Sequence, residues 1–280
     1  MVYRERREWN PLWPMMSTGE SVIVEYRGAV ASIRLNRTDH RNALTYPMLE
    51  LLLDACEEVA EDSLARVAVL TGTGSAFCAG GDIHHLLGDD PGGLTEAQRR
   101  QRLVRLHRIS WLLHTMAKPT IAAINGPAMG PGLSLALACD FRVMASTATL
   151  GTAFARLGVP GDFGGTWFAS HLLGVGRAKA LYLLNPTLGA DEALAWGLVT
   201  SVAGPEQFGA AVDELASRLA AGPAEAFALM KANFAAALIS PLAEFLDTEA
   251  HHMTLGLSTK EFDEGAQAFL EGRPPDFTAR

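Results

Sequence analysis

The stretch that most restricts what this chain can become is residues 118–140, KPTIAAINGPAMGPGLSLALACD. It opens with Pro119 and a short apolar run, Thr120–Ile124, whose length and β-branched residues suit a buried strand. Asn125, Gly126 and Pro127 end the run with turn formers, Gly130-Pro131-Gly132 follow, and from Leu133 the text is helical. A strand, a glycine-rich turn and a helix aim backbone N–H groups from a helix N-terminus at a negative centre. That geometry suits a developing oxyanion, though an ordinary strand-to-helix connection reads the same way. A phosphate loop is disfavoured, because no Gly-Lys-Ser/Thr follows the glycines.

A single turn of this kind gains meaning only if a second can face it. Residues 72–83, GTGSAFCAGGDI, supply a candidate directly after the short buried strand expected at residues 67–71. They are not a dinucleotide fingerprint, since Phe77 stands where the third glycine belongs.

The rest of the chain reads as repeated β–α turns followed by a helical C-terminal third. Residues 22–26 and 29–35 flank Arg27-Gly28 as a hairpin. Pro47 opens a helix with Leu49, Leu52, Leu53, Cys56 and Val59 at helical spacing. Thr95 caps another helix, which carries Arg99, Arg100, Arg102, Arg105 and Arg108. These arginines read as a solvated basic face, or as contacts to a phosphate-bearing ligand or a neighbouring subunit. Residues 88–93, GDDPGG, form a loop that would gate the site, and residues 1–19 an extension outside the core, anchored only if a partner holds Trp9 and Trp13.

With 280 residues, 49% of them hydrophobic, the chain is long enough for a sizeable core. A formal charge of −8 and a pI near 5.5 argue against nucleic-acid binding. Cys56, Cys78 and Cys139 form neither a disulfide framework nor a metal spacing, which points to a reducing cytoplasm. No apolar run reaches the roughly 18–20 residues of a membrane span.

Four segments, GTGSAFCAGGDI, KPTIAAINGPAMGPGLSLALACD, LGVPGDFGGTWF and DEALAWGLV, stand in the order and spacing of the crotonase superfamily. The chain thus resembles enoyl-CoA hydratases, enoyl- and dienoyl-CoA isomerases and related acyl-CoA enzymes over nearly its whole length. The resemblance implies an α/β fold: a crotonase-like ββα spiral core over 20–205, then a C-terminal helical region, 206–280, that builds a homotrimer or hexamer. It implies an acyl-CoA thioester as partner, with coenzyme A part of the substrate and no permanently bound cofactor or metal. By the same resemblance the N–H of Gly81 is one oxyanion donor, and Ala79, Asp82 and Ile83 lie along the CoA arm. Phe269 and Arg273 would reach the adenine or its phosphate. Asp82 and Asp140 also read as structural carboxylates.

Three positions depart from the family pattern. The second oxyanion donor would be residue 131, but Pro131 has no N–H. Losing one such donor typically costs about 3–4 kcal/mol, so the N–H of Gly132 or a water replaces it, or the hole is weaker. The two glutamates with which the hydratases activate water are replaced by Ser134 and Phe154, neither of which serves as a general base unaided. One acid, Asp162 in GVPGDFGG, matches the catalytic aspartate of dienoyl-CoA isomerases, ring-epoxide-acyl-CoA isomerases and the aryl-CoA dehalogenase branch. As acid/base it would shift a double bond through a thioester enolate. The blander reading makes it a cap for the helix beginning near Thr166, or a partner for loop amides. Two further readings are an acyl-CoA-binding protein with little catalysis and a hydratase with an atypical water site. His84-His85 read as pocket-rim residues, His251-His252 as interface residues, and the cysteines as small buried side chains.

Overall fold

The computed structural model describes residues 21–88 and 93–278. The extension expected at 1–19, and most of the expected gating loop at 88–93, lie outside the described residues. The chain enters through an antiparallel hairpin, β1 (Val22–Arg27) and β2 (Val30–Leu35), turned at Gly28 with φ +55°. Helix α1 (Tyr46–Glu61) follows. Thr45 caps it by accepting the Met48 N–H at 3.3 Å, and Pro47 sits in its first turn, where no N–H is missed.

Next come β3 (Val67–Gly72), α2 (Ile83–Gly88), α3 (Glu96–Leu106), α4 (Arg108–Thr115) and β4 (Thr120–Ile124). The central stretch continues as β5 (Ala128–Met129), α5 (Pro131–Ala138), β6 (Phe141–Ala145) and β7 (Leu150–Gly151). After α6 (Gly165–Lys179) and a π-helical turn at Ala180–Leu184 come α7 (Ala190–Trp196) and β8 (Ser201–Ala203). Four helices finish the chain: α8 (Phe208–Ala220), α9 (Ala224–Ala237), α10 (Leu242–Gly256) and α11 (Lys260–Glu271).

The main sheet has the order β1-β2-β3-β4-β6-β8, parallel from β2 onward, while β5 and β7 pair as a small second sheet. Every residue of β3 and β4 is buried, as a parallel strand covered on both faces requires. Alternation decides which layer each side chain joins. Ala68, Leu70, Ala122 and Ile124 join the large core with α1, α4 and α5, whereas Val67, Val69, Ile121, Ala123 and Val143 meet α8 through Val212 and Ala216.

Three features differ from the expected layout. Helix α8 is a layer of the core, so the packing boundary falls at Gly222-Pro223 rather than at 206. Strand β8 extends the sheet by pairing Val143 with Ser201; its three residues are too few to show a period. The single helix expected after Thr95 is two, broken at His107.

Beyond the boundary, α9 and α10 pack against each other, yet neither has a buried side chain. Phe234 is 75% exposed and Ile239 80%, a larger apolar display than a monomer surface usually carries. The link back to the core is Asp140, whose carboxylate accepts the Thr120 N–H at 2.7 Å and its hydroxyl at 3.0 Å, and pairs with Lys231 Nζ at 2.5 Å. Asp140→Ala strands a mostly buried ammonium and should lower the unfolding free energy by about 3 kcal/mol. Urea denaturation measures this, and a variant as stable as wild type would contradict the linking role.

Candidate active site

Two turns leave the carboxyl ends of adjacent parallel strands, the side of an open α/β sheet on which ligands bind. The first follows β3 and the second follows β4. They are joined as a short parallel ladder: Cys78 N–H donates to Pro127 O at 3.0 Å and Met129 N–H to Cys78 O at 2.9 Å. Asn125 adds a clamp, its amide donating to Gly74 O at 2.9 Å while its oxygen accepts the Gly72 N–H at 3.2 Å. Buried Asn42 does the same from the other side, donating to Thr73 O and Ala76 O.

Glycine is required where the turns meet. A Cβ on Gly132 would stand 2.6 Å from Cys78 Cβ and 2.8 Å from Cys78 O. A Cβ on Gly126 would stand 2.2 Å from Ser75 O. Leu44 binds the first turn's other flank, donating to Gly80 O at 2.8 Å and accepting the Asp82 N–H at 2.9 Å. The N–H of Gly81, lying between those two bonds, has no acceptor among the described residues. At the start of α5, Pro131 occupies the first helical position and offers no donor. The next N–H, that of Gly132, belongs to the orphan donors of a helix N-terminus and likewise has no acceptor among the described residues.

Asp162 lies on the loop before α6. Its Oδ1 accepts the Phe163 N–H at 2.9 Å and is in hydrogen-bond contact with His107 Nε2. Asp162 does not cap α6 with its side chain; the Gly165 N–H goes to its main-chain oxygen at 3.1 Å. Ser110 Oγ holds the same loop through Phe163 O at 2.8 Å, and the His107 ring meets Phe163 edge-on at 5.3 Å. Phe163 has φ +52° and Ala153 φ +57°, conformations uncommon for side-chain-bearing residues and concentrated at functional sites. His107 is the residue that sequence reading missed. A lone histidine in an arginine-rich helical run gave no signal; its contact with Asp162 arises only in the tertiary fold.

Ser134 and Phe154 are both buried. Phe154 stacks on Tyr182, and the Ser134 hydroxyl donates to Gly130 O at 3.3 Å. Loop contacts unite these groups with Asp162: a Cβ on Gly161 would touch Thr166, Tyr182 and Phe154, and one on Gly130 would touch Phe154 and Gly80.

The expected CoA-side residues are more divided. Ala79 N–H bonds Arg41 O, Ile83 is exposed, and Asp82 is buried in a structural arrangement. Asp82 pairs with Arg37 at 2.6 Å and accepts the His85 N–H at 3.1 Å. Phe269 is 85% exposed on α11, and Arg273 is held by Glu264 and Glu271. Of the arginines on α3 and α4, Arg105 pairs with Glu50, Arg108 with Glu57, and Arg102 lies over the Tyr46 ring at 4.4 Å. His252 Nδ1 meets Asn233 Oδ1 across α9 and α10 at 2.5 Å. Burial pushes the thiols of Cys78 and Cys139 up to about 12, so neither is a thiolate at neutral pH. No cluster of metal-ligating side chains occurs among the described residues.

A pair of facing turns with unpaired N–H groups, beside a carboxylate, is the equipment of an enzyme that polarises a carbonyl and moves a proton. The chain belongs to the enoyl-CoA hydratase/isomerase family, whose model matches residues 25–280; the family acts on acyl-CoA thioesters. It is 38% identical to a probable enoyl-CoA hydratase of Rhodobacter capsulatus, over 93% of this chain and 98% of that one. It is 32% identical to the 1,2-epoxyphenylacetyl-CoA isomerase of Escherichia coli, over 93% and 99%. The crystal structure of an enoyl-CoA hydratase from Bacillus anthracis superposes with a TM-score of 0.85 at 34% identity, over 93% of this chain and 100% of that one. The crotonase-like α/β fold with C-terminal helices is thereby shared. Among the described residues no helix is long and apolar enough to cross a membrane.

The Asp82 carboxyl is held below its ordinary range by the His85 N–H first, with burial opposing and Arg37 adding to the shift. A depressed folded value contributes stability above the unfolded pKa of about 3.9, lost as pH falls through the folded value. Asp82→Asn should therefore cost roughly 1–3 kcal/mol at pH 7, with the gap to wild type closing below about pH 4. Thermal melts across pH test this; a gap that stays constant with pH would contradict it.

Proposed function

We propose that the protein shifts a double bond in an acyl-CoA thioester through an enolate, with Asp162 as the acid/base. The observation that carries this is the Asp162–His107 pair beside a site whose two other candidate positions, Ser134 and Phe154, carry no carboxylate. Asp162 takes a proton from one carbon of the thioester. The N–H groups of Gly81 and Gly132 stabilise the oxygen of the resulting dienolate, and the proton returns further along the chain. One carboxylate suffices because the same proton is removed and returned. His107 orients Asp162 and does not itself touch the substrate. Ala79 and Ile83 border the CoA arm, Phe269 and Arg273 meet its adenine end, and coenzyme A enters only as part of the substrate. The exposed faces of α9 and α10 are covered in a homotrimer or hexamer, and a monomer by analytical ultracentrifugation would contradict that assembly.

A second reading makes Asp162 a nucleophile in a hydrolytic displacement, with His107 activating the water that cleaves the ester; the contact between the two side chains favours it. The substrates separate the readings. Enoyl- and dienoyl-CoAs should isomerise with wild type, and Asp162→Asn should lose about 10²–10⁴-fold. Equal activity in both would remove Asp162 from the mechanism. Chloride release from an aryl-CoA halide without isomerisation would select the nucleophile reading, and crotonyl-CoA hydration an atypical water site. Binding with no α-proton exchange in deuterated buffer would leave only an acyl-CoA-binding role.

A further inference from the structure

At the amino ends of β2 and β3, the end of the sheet opposite the two turns, the surface holds a cavity of about 520 Å³, a size typical of small-ligand pockets. Its lining includes Arg66 and Arg27, the apolar side chains of Val30, Leu64 and Phe277, and Ser217 near the end of α8. No carboxylate side chain is among the lining residues, on a chain whose formal charge is −8. Asp62, on the adjoining loop, accepts the Leu64 N–H at 2.9 Å. Phe277 packs against α11: a Cβ on Gly265 would lie 3.7 Å from its ring.

Arg66 is held from two sides. Its backbone N–H donates to Ala29 O at 2.7 Å, and its Nη2 donates to the Gly222 carbonyl just beyond α8, where a cation suits the helix dipole. Its Nε is buried and meets no acceptor among the described residues, and no carboxylate there pairs with the guanidinium. Buried donors are rarely left unpaired in native proteins, and each calls for an explanation such as a bound ion. Capping α8 accounts for Nη2 and leaves Nε unexplained. Arg27, the other lining cation, already stands 3.8 Å from Asp213 Oδ2. One uncompensated positive charge beside an apolar wall suits a monoanion with an apolar body better than a phosphate dianion, which needs further charged donors.

We propose that this cavity binds a monocarboxylic acid with an apolar tail, the carboxylate accepting from the Arg66 guanidinium and the tail lying against Leu64 and Phe277. The site stands apart from the two turns and does not depend on the reaction proposed there.

Isothermal titration calorimetry with octanoate tests this, with butyryl-CoA present in excess to fill the acyl-CoA site. One octanoate should bind per chain, and inorganic phosphate should give no heat. Arg66→Leu removes the charge, and Ser217→Trp fills the cavity while leaving the Arg66 bonds in place. Each should weaken octanoate binding by about tenfold or more, as expected for the loss of a hydrogen bond to a charged group. Should Arg66→Leu fail to fold, seen as the loss of a cooperative melt, Ser217→Trp alone decides the matter. No heat with octanoate, unchanged affinity in Ser217→Trp, or binding only when butyryl-CoA is left out would overturn the proposal. So would phosphate binding as tightly as octanoate. A gain of about tenfold on removing residues 279 and 280 would make the chain's own tail the occupant and overturn it too.

Discussion

The parallel ladder between the two glycine-rich turns is the contact on which the remaining architecture depends. Cys78 exchanges bonds with Pro127 and Met129, and Gly132 presses directly onto the Cys78 side chain. The turns can meet there because β3 and β4 are adjacent and parallel, which places both of their exits at one end of the sheet. That adjacency in turn needs helices on both faces, which α1, α4 and α5 provide on one side and α8 on the other. Each layer of the fold thus serves to bring backbone N–H groups to one place without a side chain intervening.

Around that centre the polar groups are unevenly distributed. One carboxylate, Asp162, lies on a loop held by His107 and Ser110. A hydroxyl and aromatic wall of Ser134, Thr166, Tyr182 and Phe154 lies nearby. Such a wall can orient and exclude, but with the tyrosine hydroxyl held neutral it does not readily exchange protons near pH 7. A fold shared with hydratases and isomerases alike leaves the reaction to be argued from the site.

Most of the fold was legible because its strands are short apolar runs bounded by glycine and proline, and its helices keep a clear period. The turns announced themselves for the same reason: glycine marks close backbone approach. What stayed hidden depended on tertiary contact. Strand β8 is too short to have a period, and α8 joins the core through a face that looks like that of any amphipathic helix. His107 sits in helical text where nothing separates it from its neighbours; it meets Asp162 only when the junction of α3 and α4 packs against the loop before α6. The helix expected from Leu133 in fact begins at Pro131, since a first-turn proline suits a helix start.

The central claim is that a thioester carbonyl is held between the two turns despite Pro131. A crystal structure with a bound acyl-CoA thioester tests it most directly. The carbonyl oxygen should lie about 2.7–3.1 Å from the backbone nitrogens of both Gly81 and Gly132, with Asp162 facing the acyl carbons. A carbonyl bound away from the turns, or held by Gly81 alone with no second donor in reach, would contradict the account.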